Sequence, residues 1–205
     1  MRNRARIWLS ASVLALAIAA GTPATADAAT IIDFDAYADG ANLNGVDLGG
    51  VVVSNPSGDV EVYANNRFGV GYHSPLNAIG SFTGNQSINP MVFTFLAPVG
   101  FVGLWGGDGG GDTDNWTLNA YDAAVGGSLV GTANSGNFDG DPYVFLSISA
   151  PSILRVEAIW NGPGAGVGYD DLTFDAAAVP EPTSLLLLGT GLAAAGWRRR
   201  RLAKK

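Results

Sequence analysis

The 205 residues include no cysteine. Disulfides, a thiol nucleophile and thiolate-ligated metals are therefore excluded, and stability has to come from a packed core or from oxygen-ligated ions. Histidine is nearly absent too. His73 is the single imidazole and sits in Gly71-Tyr72-His73-Ser74-Pro75, a turn-like setting in which a packing or loop role is expected. A triad of Ser74, His73 and an aspartate has no Gly-x-Ser-x-Gly elbow to support it. Glu61, Glu157 and Glu181 are the only glutamates, and a glycosidase would need two carboxyls facing one cleft. We expect no catalytic residues and no enzyme; a secreted hydrolase is the least favoured alternative.

Positive charge is missing from the middle of the chain. Of the 11 Lys and Arg residues, only Arg67 and Arg155 lie between Asp27 and Pro182, facing all 18 acidic residues, a formal balance of −16. A segment this acidic repels nucleic acid and anionic lipid, so no nucleic-acid partner is expected.

The middle also lacks any convincing helical period and any fixed repeat, which argues against bundles, solenoids and propellers. Instead, short runs of β-branched and aromatic residues recur between Gly, Asn, Asp and Pro clusters. Strands are predicted at 30–35, 51–54, 60–63, 91–96, 99–105, 116–121, 128–131, 143–149, 153–160 and 167–174. Leu154, Val156, Ala158 and Trp160 alternate with Arg155 and Glu157, and Trp116, Leu118 and Ala120 alternate with Thr117, Asn119 and Tyr121. Such period-two patterns give one buried and one wet face. The fold class is all-β, an antiparallel two-sheet sandwich over residues 29–176, with a hairpin turned by Gly126 and Gly127.

The two ends differ from this middle. Arg2, Arg4 and Arg6 precede an apolar run from Ile7 to Ala20 and a small-residue stretch ending in Ala26-Asp27-Ala28, the three regions of a secretory signal peptide over residues 1–28. At the other end, residues 183–197 carry no charge and include Leu185 to Leu188. As a helix this stretch spans about 22 Å, short of a hydrocarbon core of about 30 Å. It reads as a weak transmembrane helix, with Trp197 at the interface. Arg198, Arg199, Arg200, Arg201, Lys204 and Lys205 follow and set its topology, cationic end in the cytoplasm. Pro180 and Pro182 hold Glu181 on extended, accessible backbone.

Val179-Pro180-Glu181-Pro182, the short Leu/Gly/Ala segment and the terminal Arg cluster together resemble the PEP-CTERM sorting signal of bacterial exported proteins. The resemblance covers the tail, residues 177–205, with Pro180, Glu181 and Pro182 as the sorting motif. It implies recognition and cleavage by a membrane-embedded exosortase. The precursor would be anchored transiently in the inner membrane and the product delivered to the cell surface or extracellular matrix. Less specifically, Ile32-Asp33-Phe34-Asp35, Phe93-Thr94-Phe95, Leu118-Asn119-Ala120-Tyr121-Asp122 and Tyr169-Asp170-Asp171-Leu172-Thr173-Phe174 resemble the jelly-roll sandwich found ahead of such tails, which is similar to carbohydrate-binding modules.

That second resemblance implies two kinds of site. A structural Ca2+ ion joining the first strand to the last would draw on Asp33, Asp35, Asp170 and Asp171, since residues i and i+2 share a strand face and calcium takes six to eight oxygens. A glycan platform would draw on Trp105 and Trp116, which flank the loop Gly106 to Asn115; that loop fails the register of known calcium motifs. The expected role is a structural or adhesive component of exopolysaccharide. The alternative is a calcium-dependent carbohydrate-binding module.

Overall fold

A computed structural model describes residues 28–64, 73–83, 86–107, 113–139, 143–162 and 166–176. The expected signal-peptide helix and transmembrane helix, the sorting motif, Asp108 and Asp112 all lie outside these residues.

Fourteen strands follow one another along the described residues, with no helix among them. They are β1 (Thr30–Ile32), β2 (Val46–Asp47), β3 (Val51–Ser54), β4 (Glu61–Ala64), β5 (Asn77–Gly80), β6 (Phe82–Thr83), β7 (Gln86–Ser87), β8 (Met91–Gly107), β9 (Thr113–Asp114), β10 (Trp116–Tyr121), β11 (Leu129–Asn134), β12 (Phe138–Asp139), β13 (Val144–Trp160) and β14 (Gly168–Ala176). All their pairings are antiparallel.

The architecture depends on the two 17-residue strands β8 and β13. Each was expected as two strands and each is one element that bends. The bends fall at Leu96-Ala97-Pro98, all exposed, and across Ala150-Pro151-Ser152, where the β13–β8 register shifts between Ser149 and Ile153. Proline cannot donate to a ladder, so a strand carrying it changes direction or partner there. Before its bend β8 pairs with β3; after it, with β14. The first sheet therefore runs β2-β3-β8-β13-β10-β11. The second takes the other halves of β8 and β13 and continues through β14 to β5 and β4, with β1 also on β14.

The inner faces meet in one core. Val51, Val53, Met91, Phe93, Trp116, Leu118, Ala120, Val156 and Ala158 line the first sheet; Ile79, Val102, Leu104, Leu146, Ile148, Tyr169, Leu172 and Phe174 line the second. Phe95 meets Phe174 at 5.2 Å between ring centroids, and Trp116 meets Tyr169 edge-on at 5.4 Å. Gly106 lies under the Trp116 indole, where an added Cβ would fall 2.7 Å from Cε2. The expected hairpin forms as well. Tyr121 pairs with Leu129, Asp122 Oδ1 accepts the Ser128 N–H at 2.7 Å, and Gly126 and Gly127 adopt φ of 64° and 83°.

Several elements differ from expectation, and two of them bear on the site. β1 stops at Ile32 instead of running to Asp35, because Phe34 takes a left-handed φ of 60° that turns its ring wholly into the core, while Asp33 Oδ1 accepts the Asp35 N–H. Strand β5 has no counterpart in the pattern reading. Its Asn77-Ala78-Ile79-Gly80 is poor in β-formers and is held by Asn77, which donates its backbone N–H to Asp35 Oδ1 at 2.9 Å and its side-chain amide to the Tyr37 carbonyl at 2.8 Å.

Candidate functional site

The outer face of the second sheet carries side chains that an ordinary wet face would not. Register places them in three rows across β13, β8 and β14: Phe145, Trp105 and Asp170; then Ser147, Gly103 and Thr173, with Ile31 beyond on β1; then Ser149, Phe101 and Asp175. Phe145 is 39% exposed and Ile31 63%. Trp105 and Phe145 lie 5.1 Å apart between centroids. Gly103 lets the rings close over the sheet, since a Cβ there would meet Phe145 Cζ at 2.3 Å and Phe101 Cζ at 3.3 Å. The result is an aromatic strip from Trp105 to Phe101, about 13 Å long at the rise of a strand.

The segment after residue 72 closes one end of the strip. The His73 ring stacks on Trp105 with centroids 3.7 Å apart and planes 14° from parallel, and its Nδ1 lies 2.6 Å from Asp171 Oδ2. Ser74 donates its N–H to Asp170 Oδ2 at 2.9 Å, and its hydroxyl reaches both carboxylate oxygens at 3.2 Å. Asp170 is thereby fully buried although its register points it outward. Burial, with the neighbouring Asp171 charge adding to it against three hydrogen bonds, pushes its carboxyl up to about 7. Asp171 reaches His73 because β14 bulges: Asp171 and Leu172 stand opposite the single Leu104, and Asp171 takes a φ of 45°.

The tryptophans and aspartates singled out in the sequence fall at separate places. Trp105 belongs to the strip, but Trp116 is corrected: it is fully buried between the sheets and cannot stack on a glycan. The four aspartates are engaged separately. Asp33 caps its own turn, Asp35 holds Asn77, Asp170 holds Ser74 and Asp171 holds His73. Among the described residues no three His, Asp or Glu side chains gather as metal ligands. Ser74 and His73 form no triad with an aspartate, since the Ser74 hydroxyl serves Asp170 while His73 faces Asp171 and Trp105. Phe145, Phe101 and His73 were missed as site residues. A signal did exist for the first, because Phe145 alternates in phase with Ser147 and Ser149, which puts a large aromatic on the polar face.

Comparison with known structures first defines the class. The chain is similar in fold to the K2 cleaved adhesin domain of Lys-gingipain, with a TM-score of 0.51 and 10% identity over 72% of this chain and 99% of that one. The K1 adhesin domain of Lys-gingipain from Porphyromonas gingivalis W83 gives 0.44 at 13% identity, over 73% and 99%. A family 22 carbohydrate-binding module of Clostridium thermocellum Xyn10B gives 0.40 at 12%, over 71% and 99%. At these identities the likeness is one of fold. No curated protein matches the sequence. Residues 178–201 match the family described as PEP-CTERM protein-sorting motif. The chain is thus an all-β sandwich carrying a PEP-CTERM sorting tail, which implies an exported, membrane-anchored precursor.

Proposed function

We propose that this is an exported, exosortase-processed adhesive protein whose sandwich contacts polysaccharide at the cell surface or in the extracellular matrix through the outer face of its second sheet. The observation that carries the reading is the outward aromatic strip Trp105, Phe145 and Phe101, with Ser147, Ser149 and Thr173 beside it and His73 stacked on its Trp105 end. Sugar rings stack on such apolar faces while neighbouring hydroxyls and carboxylates take their hydrogen bonds. Binding in this reading needs no chemistry. The alternative reading gives the module a calcium requirement through Asp33, Asp35, Asp170 and Asp171; the separate engagement of these carboxylates makes the ion the secondary proposal.

The test is affinity electrophoresis of the purified sandwich in gels containing exopolysaccharide from the producing cells. Retardation is expected, and the double substitution Trp105→Ala with Phe145→Ala should weaken it by roughly 30-fold, about 2 kcal/mol for two stacking rings. Both residues are partly exposed, so circular dichroism should be unchanged. Equal retardation of the variant, or none of the wild type by any polysaccharide tried, would sink the proposal.

A further inference from the structure

We infer that the strip takes an amine-bearing polysaccharide, one whose sugar rings carry free, protonated amino groups. The inference rests on the glycan-contact reading above and narrows its ligand class.

Three observations point the same way. First, the protein already fills one end of the strip with a nitrogen base: the His73 imidazole lies flat on Trp105 with Nδ1 on Asp171. An aromatic face beside a carboxylate is the arrangement that holds a cation, through the ring quadrupole and a charge-assisted hydrogen bond. Second, the far end places another carboxylate beside an aromatic residue. Asp175 stands opposite Phe101 in the register, and its Oδ1 is shut from solvent with no hydrogen-bond donor. Only the solvent-facing part of this half-buried side chain can meet a ligand, and there a carboxylate gains more from an ammonium group than from a neutral hydroxyl. Third, no competing cation stands on this face among the described residues. Arg155, their one Lys or Arg, lies on the first sheet over the Tyr121 ring at 4.2 Å, donating to the Gly126 carbonyl.

Charge on the larger scale agrees. The balance of −16 between Asp27 and Pro182 repels an acidic polymer and raises the local concentration of a cationic one. An apolar strip with a carboxylate at its Phe101 end on an acidic domain selects a ligand that is flat, apolar on its faces and positive at intervals, which describes a deacetylated hexosamine chain.

The experiment is calorimetry of the sandwich at mildly acidic pH with two oligosaccharides of equal length, one of glucosamine and one of N-acetylglucosamine, at two ionic strengths. The glucosamine oligomer should bind about tenfold more tightly, and its advantage should shrink as salt rises. Asp175→Asn should reduce that advantage to about threefold. Asp47→Asn, an equal charge change on the first sheet, should leave it intact. Trp105→Ala with Phe145→Ala should weaken binding of both by roughly 30-fold. Equal affinity for the two oligomers overturns the amine preference and leaves the glycan-contact reading standing. Glucosamine binding that ignores the strip variant, or falls alike with Asp47→Asn, assigns the effect to the domain's overall charge and also overturns it. Failure of both oligomers overturns it too, and if every other polysaccharide fails with them the underlying reading falls as well.

Discussion

Raising the pH should destabilise this sandwich, and one buried carboxylate sets much of the slope. Asp170 is fully buried beneath Ser74, and its carboxyl is pushed from 3.8 up to about 7, first by burial and then by the charge of Asp171. The folded state thus holds the Asp170 proton where the unfolded chain has released it. The stabilisation is complete below about pH 4 and is lost as pH rises through about 7. At 1.36 kcal/mol per pH unit, the difference comes to at most about 4 kcal/mol. For a domain of this size that corresponds to a fall of roughly 8–16 °C in melting temperature. The assay is thermal denaturation followed by circular dichroism across that window, on the wild type and on Asp170→Asn. Asparagine sets an NH2 donor where the protonated carboxyl keeps a second oxygen beside the N–H groups of Ser74 and Asp171, so the variant should start about 1–3 kcal/mol less stable at acid pH. It cannot titrate, so its melting temperature should fall less steeply and the gap should close towards neutrality. Identical slopes for the two proteins, or a wild type that gains stability with rising pH, would refute the assignment.

Four further experiments test the molecule. Trp116→Ala should cost about 3–5 kcal/mol in urea denaturation, because it empties a fully buried site between the sheets. Gly106→Ala should cost about 1–3 kcal/mol by driving a methyl into the same indole. Substituting Glu181 within the matched sorting motif should stop release and surface delivery, read as retention of the uncut precursor in the membrane fraction. Titration with calcium tests the secondary proposal directly: a raised melting temperature that Asp33→Asn and Asp171→Asn remove would establish the ion, and no heat or shift would dismiss it.

Much of the architecture was legible because a strand writes its two faces into its own residues. Trp116-Thr117-Leu118-Asn119-Ala120-Tyr121 alternates buried and half-buried as the pattern requires, and its boundaries match strand β10. The proline-bearing breaks in β8 and β13 were legible as interruptions, but not as the corners where one strand leaves its sheet for the other. Local sequence reports that a ladder bond is missing; it does not say which partner replaces the lost one. Strand β5 was illegible for the opposite reason, since long-range bonds from Asn77 to Asp35 and Tyr37 hold residues of low strand propensity.

The candidate site divides along the same line. Composition alone determined that the middle of the chain is acidic, free of thiols and nearly free of histidine, and the tail alone carried the sorting signal, because these are properties of residue types and short linear order. Only the tertiary structure decided that Trp105 faces outward while Trp116 is core, that Phe145 and Phe101 join Trp105 across Gly103, and that His73 comes to Asp171 across 98 residues of chain. Period two assigns residues to opposite faces of a strand, but which face is covered depends on the sheet laid against it. That packing is fixed by register, bulges and bends far along the chain.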